Sequence, residues 1–409
     1  MLFQGKRIVL GVTGGIAAYK SCELVRILKR QGAEVRVVMT KAAEHFVSPL
    51  TFETLSENPV LTDLFPTVGK GGTVHIEIAR WPHVVAIAPA TANCVAKVAA
   101  GIADDLLTTL IAATTAPVIF CPAMNKEMYA KAVFRQNVEQ LKRLGYIFVE
   151  AEVGELACGE EGWGRLAELA RIIDAIKAVL LGSRELAGRR ILVTAARTEE
   201  DIDPVRFVTN RSSGKMGFAL AEMAALMGAQ VQLITGPSAE RPFAGVSCQR
   251  VRTSAEMAEA VRSALPEAEV LIMAAAVADF RPKQVSPHKL KKGLERVALE
   301  LERTEDILAT AGRDKGERML VGFAVETEHE VENAQAKLTA KNLDMIVLNN
   351  PTEPGAGFGT DTNQVTLIKR DGTVQKLPLM SKREVARAIL LEVAKFLNRG
   401  QSAATQGRA

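Results

Sequence analysis

One pattern, begun twice, constrains this chain more than any other. A short β-rich run leads through a turn into an amphipathic helix and then into another β-rich run. "KRIVLGVT" (6–13) reads as a strand. "AYKSCELVRILKRQG" (18–32) reads as a helix ended by Gly32, and "AEVRVVMT" (33–40) as the next strand. "HVVAIAPA" (83–90), "PVIFCPAM" (117–124) and "GYIFVE" (145–150) continue the series. Alternation at this spacing predicts an α/β fold with a doubly wound parallel sheet. The pattern restarts at "GRRILVTAA" (188–196), with a helix over 218–230 and strands over 231–236, 269–276, 318–326 and 344–350. Late in the chain, "QVTLIKRDGTVQKLPL" carries two alternating runs around Asp371 and Gly372, a strong hairpin signal. A final helix is expected over 382–398. The halves are not obvious repeats of each other. The expected organisation is one domain over 1–181, a linker over 182–189, a second α/β domain over 190–398 and a disordered tail over 399–409.

Composition narrows the partners. The 409 residues are 48% hydrophobic and 24% charged, ordinary for a globular chain with more than one core. A net charge of +4 is too mild to argue for nucleic acid, and 5% aromatics argues against base-stacking surfaces. A phosphorylated ligand fits that charge at least as well. Residues 2–10 already read as a strand rather than a secretory signal. No uncharged apolar run reaches the roughly 18 residues of a membrane span. The cysteines, Cys22, Cys94, Cys121, Cys158 and Cys248, are odd in number, widely spaced and without CxxC, so neither disulfides nor a zinc site follows. A reducing cytoplasm is the simplest setting.

In the first half, "GVTGGIAAYK" (11–20) is a glycine-containing strand-to-helix turn. Its backbone N–H groups and the helix dipole can cradle a phosphate, or the glycines can simply permit tight packing. It is not GxGxxG. In "APATANCVAKVAAGIADDLLT" (88–108), Thr91 and Asn93 can cap a helix or bond a ligand. "PVIFCPAM" breaks at Pro122 and presents Met124 and Asn125 at a strand end, a usual ligand position in an open sheet. His75, just past a glycine-rich loop, reads as structural or as a base. Cys158 lies in "GELACGEEGWGR", a glycine-rich setting that suits a lid residue.

In the second half, "TNRSSGKMG" (209–217) offers hydroxyls and N–H groups to an anion. A Walker A reading fails, because Met216 follows Lys215 and Thr209 stands where the first glycine is needed. "MAAAVADFRP" (273–282) runs from a strand into small residues that let a nucleotide approach the backbone or let strand and helix pack closely. The basic cluster "HKLKK" (288–292) is a solvated face or a triphosphate clamp.

The turn at 11–20, the stretch 88–108, "PAMNKEM" and "ACGEEGWGR", in this order, resemble flavin-dependent phosphopantothenoylcysteine decarboxylases. With the second half included, residues 5–398 resemble the family in which that decarboxylase is fused to a phosphopantothenate–cysteine ligase of coenzyme A biosynthesis. The resemblance implies a flavodoxin-like or Rossmann-like FMN-binding domain, followed by a Rossmann-like nucleotide-binding domain with the late hairpin.

For the first domain it implies that Thr13, Gly14, Gly15, Thr40, Thr91 and Asn93 contact FMN. Met124 and Asn125 would bind substrate, with Asn125 on the carboxylate of the cysteine moiety. His75 would be the base that assists thiol oxidation, and Cys158 the proton donor that returns an enethiol to a thiol. Tyr129 departs from the tryptophan common at its place in the family motif.

For the second domain it implies CTP and Mg2+. Asn210 would handle an acyl-cytidylate, Arg206 the substrate, and Lys289 the activated intermediate. Asp279 would meet the ribose or the metal. Met273, Ala274, Ala275, Thr304, Glu305, Asp306, Ile307, Phe323, Lys337 and Lys341 would complete the CTP site. Arg211 is not part of the motif. The implied substrates are 4'-phosphopantothenate, cysteine and CTP, with no nucleic acid and no membrane. The implied assembly is a homo-oligomer with trimeric flavin domains and dimeric ligase domains, together a dodecamer.

Two other readings stand beside this one. An NAD(P)-dependent oxidoreductase conflicts with the missing GxGxxG in both halves. A non-enzymatic flavin-binding regulator would have no need of His75, Asn125 and Cys158 together.

Overall fold

A computed structural model of the chain describes all residues except 66–72, 156–158, 160, 292–297, 327, 351–354, 356, 358 and 407–409, with backbone alone over 399–406. It divides into two compact units, Met1–Gly182 and Ser183–Ala409.

The first unit is built on five parallel strands: β1 (Arg7–Val12), β2 (Glu34–Met39), β3 (Val84–Ala90), β4 (Val118–Pro122) and β5 (Ile147–Phe148). Their order is β2-β1-β3-β4-β5. β1 pairs with β2 and β3, placing Ile8 opposite Val35 on one side and Val84 on the other. All seven residues of β3 and all five of β4 are buried, which is why these strands are apolar throughout rather than alternating. Residues 1–5 form a turn rather than the start of a strand, and Phe3 is fully buried beneath it. A hairpin, β6 (Glu152–Glu155) with β7 (Glu161–Arg165), stands apart from the sheet.

The second unit has an eight-stranded sheet: β8 (Arg190–Ala195), β11 (Gln230–Thr235), β12 (Ser247–Arg250), β13 (Val270–Met273), β16 (Met319–Val325), β17 (Met345–Asn349), β19 (Val365–Lys369) and β20 (Val374–Lys376). The order is β12-β11-β8-β13-β16-β17-β19-β20. The first six run parallel, and the late hairpin β19–β20 adds antiparallel to β17. Short ladders join β9 (Glu199–Asp201) to β10 (Phe207–Thr209), β14 (Phe280–Pro282) to β15 (Leu301–Arg303), and β18 (Thr362–Asn363) to β21 (Met380–Ser381).

The segment 183–189, read as a linker, is docked on the second unit. Ser183, Leu186 and Gly188 donate backbone N–H bonds to Leu226, Met227 and Gly228, and Leu186 is fully buried in that unit's core. The last helix runs Lys382–Gln406, so the backbone of 399–406, expected as disordered tail, continues the helix. Residues 407–409 lie outside the described residues.

A buried ion pair sits beside β16 and β17. Lys315 Nζ meets Asp344 at 2.6 Å, and the Asp344 carboxylate also accepts the Leu320 N–H at 2.8 Å. Lys315→Met strands that carboxylate, and the expected loss is about 3–5 kcal/mol of stability, read by urea unfolding.

Candidate active sites

Chain reversal in each sheet opens a crevice at the strand ends. In the first unit the chain leaves β1 for β2 on one side and returns to β3 on the other, so the ends of β1 and β3 flank a topological switch point. A cavity of about 1250 Å³ lies there. Thr13 and Thr91 line it from the ends of β1 and β3, Thr40 from the end of β2, and Met124 and Asn125 from the end of β4. Gly14, Gly15 and Asn93 complete the residues predicted from sequence.

Local bonds separate structural from ligand-facing groups. The Thr13 hydroxyl donates to Pro89 O at 2.7 Å and accepts the Thr91 N–H at 2.9 Å, so it ties β1 to β3 with its proton committed inside the protein. Thr91 caps the helix Ala92–Ala99. Gly14 is needed for packing: a Cβ there would lie 2.4 Å from Ala42 Cβ. Gly15 is different, with nothing nearer than Thr91 Cγ2 at 3.7 Å. The Thr40 hydroxyl is buried in the cavity wall without a hydrogen-bond partner among the described residues. A bare glycine turn at a helix N-terminus and an unpartnered hydroxyl fit the phosphate of a nucleotide cofactor. The volume exceeds the roughly 300–1000 Å³ of a usual ligand pocket, leaving room for a cofactor and a substrate together.

Asn125 Oδ1 accepts the Glu127 N–H at 2.8 Å, capping the helix Lys126–Ala130. The backbone before it is held by the hairpin, since Met124 N–H donates to Gly164 O at 2.9 Å. His75 lies on the helix Val74–Arg80 and does not line the cavity; its Nδ1 is buried without a partner among the described residues. Cys158 lies outside the described residues. Sequence reading passed over Lys20, Lys97 and Arg165, which also line the cavity. All three lie within motifs of the sequence, Lys20 in "GGIAAYK", Lys97 in the 88–108 stretch and Arg165 at the end of "ACGEEGWGR", but none was singled out.

Tyr129 does not line the cavity. Its hydroxyl donates to Glu150 Oε2 at 2.7 Å, and burial, then Glu150, pushes the phenol up to about 12. Burial works against the Glu150 charge, but Lys142 and Tyr129 hold that carboxyl below its ordinary value. Its stabilisation is therefore present above the ordinary Glu pKa, about 4.3, and is lost as pH falls through the lower folded value. Tyr129→Phe should lower stability by about 1 kcal/mol in thermal melts at neutral pH and leave decarboxylation unchanged.

In the second unit the switch point lies between β8 and β13. A cavity of about 490 Å³ there is lined by Asn210, Met273, Ala274, Ala275, Asp279, Asp306, Ile307, Phe323, Lys337 and Lys341 among others. Residues 211–217 form another wall at the N-terminus of the helix Lys215–Leu226. Gly214 there has φ +86° and Gly217 packs on β8, where a Cβ would lie 2.5 Å from Ala195 Cβ. Asn210 Nδ2 donates to Val277 O at 2.8 Å, joining two walls. Lys341 pairs with Asp306 at 2.7 Å and Lys337 with Glu326 at 2.5 Å. Burial opposes the Asp306 charge, yet the Lys341 contact and the Ala309 N–H leave its carboxyl below the ordinary value.

Four predicted residues stand off this cavity. Thr304 bonds Ala278 O at 2.6 Å, and Glu305 pairs with Arg262 at 3.0 Å. Arg206 is held by Asp203 at 3.2 Å and by Leu290 O at 3.3 Å, which ties it to the exposed segment carrying Lys289. Asn349, Asn363 and Lys382 line the cavity and are buried, and no local sequence signal marked them.

Residues 3–181 match the flavoprotein family, and residues 186–397 match the DNA/pantothenate metabolism flavoprotein C-terminal domain. The coenzyme A biosynthesis bifunctional protein CoaBC of Bacillus subtilis is 47% identical over 396 residues, 96% of this chain and 98% of that protein. The chain belongs to this family. CoaBC of Vibrio cholerae is 43% identical over 389 residues, 94% of this chain and 97% of its own. A crystal structure of the C-terminal domain of a CoaBC is 45% identical, covering 53% of this chain and all of that one, with TM-score 0.47. The family is one of bifunctional enzymes, a flavoprotein decarboxylase and a ligase on one chain. Among the described residues no helix is long and apolar enough to cross a membrane.

Proposed function

We propose that the second unit joins cysteine to 4'-phosphopantothenate at the expense of CTP, and that the first unit then decarboxylates the product to 4'-phosphopantetheine. The order of reaction reverses the order along the chain. The observation that carries this reading is the pair of switch-point cavities, each lined by most of the residues that the family resemblance assigns to its site.

In the ligation, a carboxylate oxygen of 4'-phosphopantothenate attacks the α-phosphorus of CTP and pyrophosphate leaves. The cysteine amine then attacks the acyl carbon and CMP leaves. The N–H groups around Gly214 supply positive charge for the triphosphate, and Lys337 and Lys341, paired with Glu326 and Asp306, would exchange those partners for its oxygens. Asp279 is exposed at the cavity and suits the ribose or a Mg2+ ion. Among the described residues no cluster of three His, Cys, Asp or Glu side chains could hold a metal alone, which fits a metal carried by the triphosphate oxygens. Asn210 orients the acyl-cytidylate, while Arg206 and Lys289, which stand off the cavity where Asp203 binds the Leu290 N–H, would handle the substrate and the activated intermediate.

In the decarboxylation, FMN when bound would supply a reversible two-electron oxidation, which gives the departing carboxylate an electron sink and is undone when the enethiol is reduced back to the thiol. Gly15 and Thr40 would hold its phosphate, with Thr91 and Asn93 beside it. Asn125, its backbone fixed through the hairpin, holds the substrate carboxylate. His75 takes a proton in the oxidation, and Cys158 returns one to the enethiol. The chain works as a homo-oligomer; strongly exposed apolar side chains such as Leu50 (67%) and Phe65 (76%) support subunit contacts.

The nucleotide assignment is tested without cysteine, by exchange of labelled pyrophosphate into CTP. Exchange that requires 4'-phosphopantothenate and magnesium is expected. Exchange with ATP alone would overturn the CTP assignment.

A further inference from the structure

Four cationic side chains line the first cavity: Lys20, Lys41, Lys97 and Arg165. Two are neutralised within the protein. Lys41 pairs with Asp63 at 2.9 Å and Glu44 at 3.5 Å, and Lys97 with Asp104 at 2.7 Å and Asp105 at 3.5 Å. Among the described residues, Lys20 and Arg165 have no side-chain ion pair or hydrogen bond. Lys20 stands in the first turn of the helix Ala18–Arg30, and Arg165 ends β7 with its side chain lying over Gly154.

These two charges feel each other. Burial, and next the Arg165 guanidinium, pulls the Lys20 ammonium below its ordinary value, while Glu152 and Glu168 act more weakly in the other direction. Glu152 is itself engaged, by Arg171 at 3.1 Å and the Glu168 N–H at 3.1 Å. Glu155 lines the same cavity without an ion pair to either cation among the described residues, so the two like charges lack a bonded counter-charge and favour an anion. The reaction offers two phosphate monoesters, the flavin's and the substrate's. Gly15 and Thr40 already offer a seat for the first. Arg165 lies on the hairpin, directly after Gly164, whose carbonyl holds the Met124–Asn125 segment.

We propose that Lys20 and Arg165 form a subsite for the phosphate monoester of the decarboxylase substrate. The proposal rests on the decarboxylase reading above and adds the residues that select a phosphorylated substrate. It also explains why these cations come from two elements, the first helix and the hairpin, that converge only at the cavity.

The test compares flavin-loaded, full-length wild type with Lys20→Met, Arg165→Gln and Lys20→Arg. Each is given 4'-phosphopantothenoylcysteine and its unphosphorylated counterpart. The readout is the ratio of kcat/KM between the two. Each charge-removing variant should lower that ratio roughly 10- to 100-fold, and Lys20→Arg should retain most of it. A fall in bound flavin with an unchanged ratio assigns the cations to the flavin phosphate and overturns the proposal. An unchanged ratio with normal flavin overturns it as well. If wild type decarboxylates neither compound, the enzymatic reading fails, and phosphorus NMR with inorganic phosphate then decides the subsite. Binding to wild type that is lost in both charge-removing variants upholds it, and equal binding in all of them overturns it.

Discussion

Gly164→Ala is expected to abolish decarboxylation and spare ligation. Gly164 has φ +133°, a conformation that L side chains rarely adopt, and a Cβ there would fall 2.1 Å from Met124 O. No rotamer relieves that clash, because the Cβ position is fixed by the main chain and the atom it meets is a backbone carbonyl oxygen. The seam between β7 and the Met124–Asn125 segment must open, and with it goes the placement of the residue proposed to hold the substrate carboxylate. Misplacement of about 1 Å is enough for a 100-fold loss, so kcat/KM should fall at least that far. Gly164 belongs to the first unit and the ligase cavity to the second, so CTP-dependent ligation by the same preparation serves as the control for folding. Decarboxylation within about twofold of wild type would show that this seam does not position the substrate.

The second large effect is expected at Asn210. Asn210→Ala removes an amide from the ligase cavity and leaves Val277 O without the donor that now reaches it at 2.8 Å. If this amide steadies the acyl-cytidylate, ligation falls about 100- to 1000-fold, the range found when one preorganised donor is lost. Decarboxylation of supplied 4'-phosphopantothenoylcysteine stays at the wild-type rate. Ligation that survives intact would move the burden to Arg206 and Lys289.

The central strands of the two sheets were legible because they are buried on both faces, whereas the mostly exposed edge strand β12 was not. "VVAIAPA" and "VIFCP" are unbroken apolar runs, and such runs at this spacing leave few alternatives. The hairpin turn at Asp371 and Gly372 was legible for a local reason, since turn chemistry is written in two or three residues; Gly372 has φ +85°. The switch-point residues were legible because small and polar residues interrupt apolar strands only where something must approach.

What stayed hidden depends on distance along the chain. Nothing in "GSRELAG" tells that Leu186 is buried, because its partners lie on a helix that begins at Lys215. The Thr13 hydroxyl looks like a ligand donor until Pro89 and Thr91 are placed beside it. Lys20 and Arg165 look like two unrelated surface charges until the fold sets them on one cavity. Asn349 and Lys382 join the second cavity in the same way. Arg206 shows the converse, since a motif residue drawn to Asp203 and Leu290 stands away from the cavity that its neighbour Asn210 lines.

The central claim is that one chain performs both steps in sequence, and product analysis tests it most directly. Full-length protein is incubated with 4'-phosphopantothenate, cysteine, CTP and magnesium, and the products are identified by mass spectrometry. The account predicts 4'-phosphopantetheine together with CMP. Accumulation of 4'-phosphopantothenoylcysteine without its decarboxylated product would contradict the first cavity's assignment. Absence of both products, with ATP no better than CTP, would contradict the whole account.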